Sequence, residues 1–136
     1  MPLKTGLIGA AMMLLAASAA HAEDADCENA QTQADMTSCA QARYDKADKG
    51  LNAQYKLTRT AMVAIDKDLD GDMKGAEQAL LKAQRAWITY RDAQCENYGF
   101  QARGGTMEPM LVAGCLADLT DLRTKELKEL ADGMGQ

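Results

Sequence analysis

Apolar and small side chains recur along the middle of this sequence at steps of four and three residues, a spacing that places them on one face of an α-helix. The members of this first stripe are Ala40, Tyr44, Ala47, Leu51, Tyr55, Thr58, Met62 and Ile65. The stripe predicts a helix of about seven turns. Thr37 or Ser38 is a suitable N-cap residue for it, although the helix can also begin earlier, near Gln31.

Two further stripes predict two more helices. The second helix runs from about Gly75 to Tyr98, and its apolar positions are Ala76, Leu80, Ala83, Trp87 and Tyr90, with Cys95 near its end. The third helix begins near Pro109, because proline is favoured in a first helical turn. Its apolar positions are Val112, Cys115 or Leu116, Leu119, Leu122, Leu127 and Leu130.

The fold that these helices predict is all-α. Two loops, Asp66 to Lys74 and Gly99 to Glu108, join the helices, and short connections make sequential helices antiparallel neighbours. Residues that favour strands are scarce after the first 22 positions, whereas Ala, Leu, Met, Gln, Lys and Glu are abundant. The sequence therefore predicts a three-helix antiparallel bundle with up-down-up topology.

The first 22 residues have the features of a secretory signal peptide. Lys4 precedes an apolar run from Gly6 to Ala17, and small residues around His21 end at Ala22. Cleavage after Ala22 leaves one domain, residues 23–136. The apolar run is too short to span a bilayer, so we expect no membrane anchor after cleavage. The expected location is the periplasm or the exterior of the cell.

Removal of the signal also changes the available chemistry. His21 is the single histidine of the sequence, so the mature chain has no histidine. This excludes Ser-His-Asp and Cys-His catalysis and any imidazole zinc site. We predict no catalytic residues and no enzyme activity. Loss of Lys4 leaves 14 Lys and Arg against 20 Asp and Glu, a net charge of −6, which argues against nucleic-acid binding.

Four cysteines remain in the mature chain: Cys27, Cys39, Cys95 and Cys115. An even number of cysteines in a small exported protein predicts two disulfides that staple the bundle. The favoured pairs are Cys27–Cys39 and Cys95–Cys115. The crossed pairings, such as Cys39–Cys95, stay open because all four residues fall at one end of the predicted bundle.

The loop between the first two helices has the spacing of an EF-hand calcium loop. Its candidate ligands are Asp66, Asp68, Asp70 and Glu77, with Gly71 at the sharp turn. Two positions depart from the pattern, because Lys74 stands where an oxygen ligand is usual and Leu69 lies between two ligands. Weak calcium binding is one hypothesis; the alternative is an acidic, solvated loop, and no other cofactor is expected.

The loop between the second and third helices is glycine-rich and has a single cation. Arg103 lies beside Gly104 and Gly105, and the segment lacks the Lys-Ser/Thr ending and the preceding strand of a phosphate-binding loop. It is either a turn between linked helices or a protruding contact loop.

Trp87 and Tyr90 lie on the apolar stripe of the second helix and are predicted to be core residues. Arg91 is predicted to pair with a carboxylate of a neighbouring helix. The alternative for this motif is an aromatic binding hot spot.

Five stretches together carry a family resemblance. They are AQTQADMTSC at 30–39, YxxADxxLNxxY at 44–55, AQRAWITYRDAQC at 83–95, GGTxxPM at 104–110 and CLxxLTxxRxxEL at 115–127. The chain resembles the LprI-type lysozyme inhibitors, a family of small exported bacterial proteins. The resemblance implies a helical, disulfide-stapled domain and, for the namesake, inhibition of lysozyme. The namesake is a lipoprotein, whereas the signal of this chain has no lipid-attachment cysteine.

We therefore expect an exported protein-binding domain whose partner is lysozyme or another envelope protein. The leading hypothesis is an inhibitor that blocks the lysozyme cleft with Arg103, Gly104 and Gly105. The alternative is an exported helical module with another role, in envelope maintenance or calcium-responsive binding.

Overall fold

Three α-helices account for most of residues 26–133, the part of the chain that the computed structural model describes. They are α1 (Gln33–Asp68), α2 (Ala76–Gly99) and α3 (Glu108–Gly133), and short 3₁₀ turns lie in the connections at Gly71–Met73 and Phe100–Ala102. No strand occurs between residues 26 and 133. The predicted all-α bundle is confirmed. The predicted signal peptide, residues 1–22, lies outside the described residues.

Contacts between the helices establish the up-down-up order. Gln33 at the start of α1 donates a hydrogen bond from Nε2 to the Met110 sulfur at the start of α3, over 3.4 Å. The first turn of α2 is at the opposite end, where Glu77 pairs with Arg59 of α1 at 2.6 Å. α1 packs most extensively on α3, and α2 covers a smaller part of both. None of the described helices has an apolar stretch of the length that a bilayer crossing requires.

The first helix begins earlier than either Thr37 or Ser38. Its N-cap is Thr32, whose hydroxyl oxygen accepts the backbone N–H of Asp35 at 3.1 Å. The Thr37 hydroxyl instead donates to the Gln33 carbonyl within the helix. The prediction of a cap at Thr37 or Ser38 is therefore wrong, and the alternative start near Gln31 is close to the observed one. The resulting helix has 36 residues.

The apolar core is centred in the half of the bundle away from the disulfides. Its buried members are Leu51, Met62, Leu80 and Leu127, with Tyr55, Ala61, Ile65, Ala76 and Trp87 packed around them. The fully buried Thr58 hydroxyl donates to the Leu127 carbonyl at 2.8 Å, which links α1 to α3 inside this core. Toward the disulfides, the buried residues of α3 become small: Ala113, Ala117 and Thr120.

Several residues of the predicted stripes are exposed instead of buried. Tyr90 is 56% exposed, Leu122 is 52% exposed and Leu130 is 37% exposed, and Ala83 of α2 is exposed as well. The buried positions of α2 are Leu80, Gln84, Arg91, Cys95 and Gly99, and those of α3 are Ala113, Ala117, Thr120 and Leu127. The buried faces of α2 and α3 therefore include polar or small residues, which the spacing of large apolar side chains does not indicate.

Candidate functional site

Two disulfides hold the end of the bundle at which α2 stops and α3 begins. Cys27 pairs with Cys39, with their Cα atoms 5.6 Å apart, and Cys95 pairs with Cys115, with their Cα atoms 5.4 Å apart. These are the two pairs that the sequence favoured, and the crossed pairings do not occur. The Cys95–Cys115 bond joins the last turns of α2 to the first turns of α3. The connecting residues 100–107 therefore form a loop whose two ends are attached to helices that this disulfide links covalently; these linked helix ends are the base of the loop.

A close contact between Gly99 and α3 positions the start of this connection. Gly99 is buried, and a Cβ atom placed on it would lie only 2.6 Å from the Cγ2 atom of Val112. A larger residue at this position would force the two helices apart. Glycine therefore allows the end of α2 to rest directly on α3.

Successive turns then shape the loop. The N–H of Gly105 donates to the Ala102 carbonyl at 2.8 Å, and the N–H of Glu108 donates to the Gly105 carbonyl at 3.2 Å. Gly104 has a φ of 76°, in the left-handed region that glycine adopts without strain. A Cβ atom on Gly105 would lie 3.1 Å from the Ala102 carbonyl oxygen. Both glycines are therefore explained by the turn itself.

The Glu108 carboxylate fixes the tip of the loop. One of its oxygens accepts a hydrogen bond from Arg103 Nη1 at 2.7 Å, and the other accepts the N–H of Gly104, also at 2.7 Å. These contacts lower the pKa of Glu108, the Gly104 N–H being the larger cause and the Arg103 guanidinium the next. The guanidinium also lies 4.5 Å from the centre of the Phe100 ring. The structure thus holds Arg103 in one orientation, with 59% of its side chain exposed.

Two carboxylates of the acidic segment at the other end of the bundle have partners within the chain. Asp66 caps the start of α2: its Oδ1 accepts the N–H groups of Gly75 at 2.7 Å and Ala76 at 2.8 Å, and its Oδ2 accepts that of Glu77 at 3.0 Å. These backbone hydrogen bonds lower the pKa of Asp66. The Glu77 carboxylate pairs with Arg59.

The four candidate calcium ligands are not gathered at one point. α1 continues through Asp68, so Asp66 and Asp68 belong to a helix and not to a loop. Within residues 26–133, no group of three or more Asp, Glu, His or Cys side chains is placed to hold a metal ion. Calcium binding here stays a prediction from the motif.

A buried arginine lies at the centre of the bundle, between the core and the disulfide end. The Arg91 side chain is only 8% exposed, pairs with Asp92 at 2.8 Å and approaches Asp48 of α1 at 3.9 Å. Its guanidinium lies 5.4 Å from the Tyr44 ring and 5.1 Å from the Trp87 ring. The ion pair to a neighbouring helix is therefore present but long, and the shorter pair lies within α2. Trp87 packs against the core, as the stripe predicted.

Comparisons with known proteins bear on the family to which the chain belongs. The family model of the lysozyme inhibitor LprI matches residues 24–127. An uncharacterized protein from Rhizobium meliloti (strain 1021) is 57% identical over 110 residues, which cover 79% of this chain and 79% of that protein. No solved structure matches the chain. On the match over residues 24–127, the chain belongs to the LprI lysozyme inhibitor family.

Proposed function

We propose that this protein is an exported lysozyme inhibitor that blocks the lysozyme cleft with the connection between α2 and α3. Family membership supports the inhibitory role. The two disulfides are consistent with export, because such bonds persist in oxidising compartments. The choice of this loop as the contact element rests on its geometry. The guanidinium of Arg103 is exposed and held in one orientation, and the Cys95–Cys115 disulfide links the helices at the two ends of the loop.

The chemistry of the lysozyme cleft suits this loop. Lysozyme cleaves its substrate with two carboxylic side chains in a cleft, one acting as the acid and the other as nucleophile or stabiliser. An arginine that reaches such a carboxylate forms a charge-assisted hydrogen bond, which is stronger than a neutral one. Glu108 accepts one N–H of the Arg103 guanidinium, and a guanidinium has five donors in all. The remaining donors are available to a carboxylate of the partner.

Preorganisation is the second reason to assign the contact to this loop. An unrestrained arginine loses rotamer freedom when it binds, and this cost reduces affinity. In the present loop the Phe100 ring and the Glu108 carboxylate already orient Arg103 before any partner arrives. The Cys95–Cys115 bond similarly limits the motion of the loop's base. Less of the interaction free energy is therefore lost to ordering Arg103 and the loop on binding, which favours a higher affinity.

The test is a lysozyme activity assay with the purified mature protein and two arginine variants. Arg103→Ala should weaken inhibition by about ten-fold or more, because a charge-assisted hydrogen bond is lost. Arg59→Ala is a matched control: both side chains are 59% exposed and both pair with a glutamate, but Arg59 lies at the opposite end. Its inhibition should stay within about two-fold of wild type. Equal inhibition by both variants would assign the contact to another surface, and no inhibition by the wild type would refute the proposal.

A further inference from the structure

An apolar groove lies beside the loop, at the disulfide end of the bundle. It has a volume of about 530 Å³ and is formed by the first turns of α1, the last turns of α2 and the first half of α3. Its lining includes Met36, Ala40, Tyr90, Tyr98, Met110 and Leu111. Cys115 also lines it, so the groove and the loop share the Cys95–Cys115 bond as a common base. Nothing within the described residues fills this space.

The side chains of the groove are of the kind that protein interfaces favour. Tyr90 and Tyr98 lie two turns apart on α2, roughly 12 Å along its axis, and are 56% and 43% exposed. Tyrosine is enriched among residues that contribute most to binding, and methionine adapts its shape to the surface that it meets. Phe100 and Met107 of the adjoining loop are also large, apolar and exposed. Groove and loop together concentrate exposed apolar surface at one end of the molecule.

The same end of the bundle is strongly acidic. Arg91 of α2 contacts Asp48 of α1 and Thr120 of α3. These three residues mark a boundary across the bundle, which separates its disulfide end from its far end. On the disulfide side, residues 26–47 and 92–119 contain eight Asp and Glu against three Lys and Arg, a net charge of −5. On the far side, residues 48–91 and 120–133 contain ten Asp and Glu against eleven Lys and Arg, a net charge of +1. The protein therefore has an acidic pole that includes the lining of the apolar groove except Tyr90, which lies at its boundary beside Arg91.

We infer that this groove is a second contact site for a basic lysozyme, which inserts an apolar side chain between Tyr90 and Tyr98 while its cations face the acidic pole. The inference rests on the proposed function and adds to it a docking surface and the charge of the partner. Complementary charge steers association and selects among partners of similar shape. Two copies of this chain that met through the groove would instead bring two poles of −5 together, which disfavours self-association there.

The test compares two pairs of exposed apolar residues. The double variant Tyr90→Gln/Tyr98→Gln removes the groove's rings, and the control Leu57→Gln/Leu122→Gln changes two leucines that are 64% and 52% exposed outside the groove. The dissociation constant for a lysozyme of high isoelectric point should rise by about ten-fold or more in the tyrosine variant. The leucine control should stay within about two-fold of wild type, and circular dichroism should show unchanged helix content in both variants.

A second arm tests the charge of the partner. A lysozyme of low isoelectric point should bind more weakly than the basic one, and its association rate should lack the steep decrease with added salt. If the tyrosine variant binds like the wild type, or if the acidic lysozyme binds equally well, the groove inference is overturned while the loop proposal stands. A wild-type dimer that the tyrosine variant dissociates would assign the groove to a second copy and also overturn the inference. If the wild type binds neither lysozyme, the proposed function fails and the inference fails with it.

Discussion

The guanidinium of Arg103 donates a hydrogen bond to the carboxylate of Glu108 at 2.7 Å, across the turn that joins α2 to α3. Glu108 is the first residue of α3, where a negative charge also interacts favourably with the helix dipole. The carboxylate therefore has two effects at once: it stabilises the start of the helix and orients the cation of the loop. If Arg103 contacts lysozyme, Glu108 acts through it as a positioning residue.

Replacing Glu108 by the isosteric glutamine should weaken inhibition several-fold while leaving the helix content unchanged. The neutral amide retains the size of the side chain but loses the charge that holds Arg103. A double-mutant cycle separates this role from a general structural one. In an Arg103→Ala background, Glu108→Gln should have little further effect on the inhibition constant, because the residue on which it acts is absent. Independent, additive losses would contradict the positioning role.

The pH dependence of the Glu108 contribution follows from the sign of its pKa shift. The N–H of Gly104 and the Arg103 guanidinium lower the pKa of Glu108 in the folded protein below the ordinary value of 4.5. The stabilisation is therefore complete above that value and is lost as the pH falls through the lower folded pKa. The difference in Tm between wild type and Glu108→Gln should be constant around neutral pH and shrink in acid. A difference that grew in acid would contradict the assignment.

Asp66→Ala should lower the Tm by several degrees, because three N–H groups at the start of α2 lose their acceptor. Asp70→Ala provides the control, since Asp70 is a nearby exposed carboxylate whose side chain makes no capping hydrogen bond. Thermal unfolding followed by circular dichroism measures both. Equal, small shifts in the two variants would show that the Asp66 cap contributes little.

Millimolar calcium distinguishes the two hypotheses for this loop: weak calcium binding should raise the Tm of the wild type, whereas an acidic, solvated loop should leave the Tm unchanged. The weak extracellular range of calcium loops is about 10⁻⁴ to 10⁻³ M, so a site formed by Asp66, Asp68, Asp70 and Glu77 would be populated at that concentration. The structure instead uses Asp66 as a helix cap and pairs Glu77 with Arg59. Calorimetric heat together with a rise in Tm would support the motif and show that the loop rearranges around the ion.

Replacing both Cys95 and Cys115 by alanine should impair inhibition more than replacing Cys27 and Cys39. Each bond closes a loop, of sequence separation 20 for the former and 12 for the latter, and loop entropy gives each a stabilisation of roughly 3 kcal/mol. The Cys95–Cys115 bond alone fixes the base of the proposed contact loop. Assays at a temperature where both variants remain folded separate this effect from stability. Equal loss of inhibition would contradict it.

The sequence predicted the three helices well because apolar residues recur along each of them at steps of three and four residues, the spacing of one helix face. It misplaced Tyr90, since the buried face of α2 includes the polar residues Gln84 and Arg91. The burial of Arg91 depends on Tyr44 and Asp48, which come from another helix. A pattern within one helix carries no information about such partners. Leu122 and Leu130 were misplaced for a related reason: small residues of α3 are buried where the helices approach closely.

The site was less predictable than the fold. The composition of the loop at Arg103, Gly104 and Gly105 indicated a candidate contact site. The hydrogen bond from Arg103 to Glu108, however, depends on turns that bring two residues five positions apart together. A glutamate directly before Pro109, near which the third helix was predicted to begin, was the available signal for it. The calcium motif matched by spacing alone, and spacing does not reveal that α1 continues through Asp68. The groove arises from three helices and has no counterpart in any single motif.

The central claim is that this protein occupies the lysozyme cleft, and the kinetic mode of inhibition tests it most directly. Initial rates of a lysozyme acting on a soluble oligosaccharide should be measured at several concentrations of substrate and of the mature protein. An inhibitor that fills the cleft excludes the substrate, so the apparent KM should rise with inhibitor concentration while kcat stays constant. A fall in kcat at unchanged KM, or rates that do not change at any inhibitor concentration, would contradict the account.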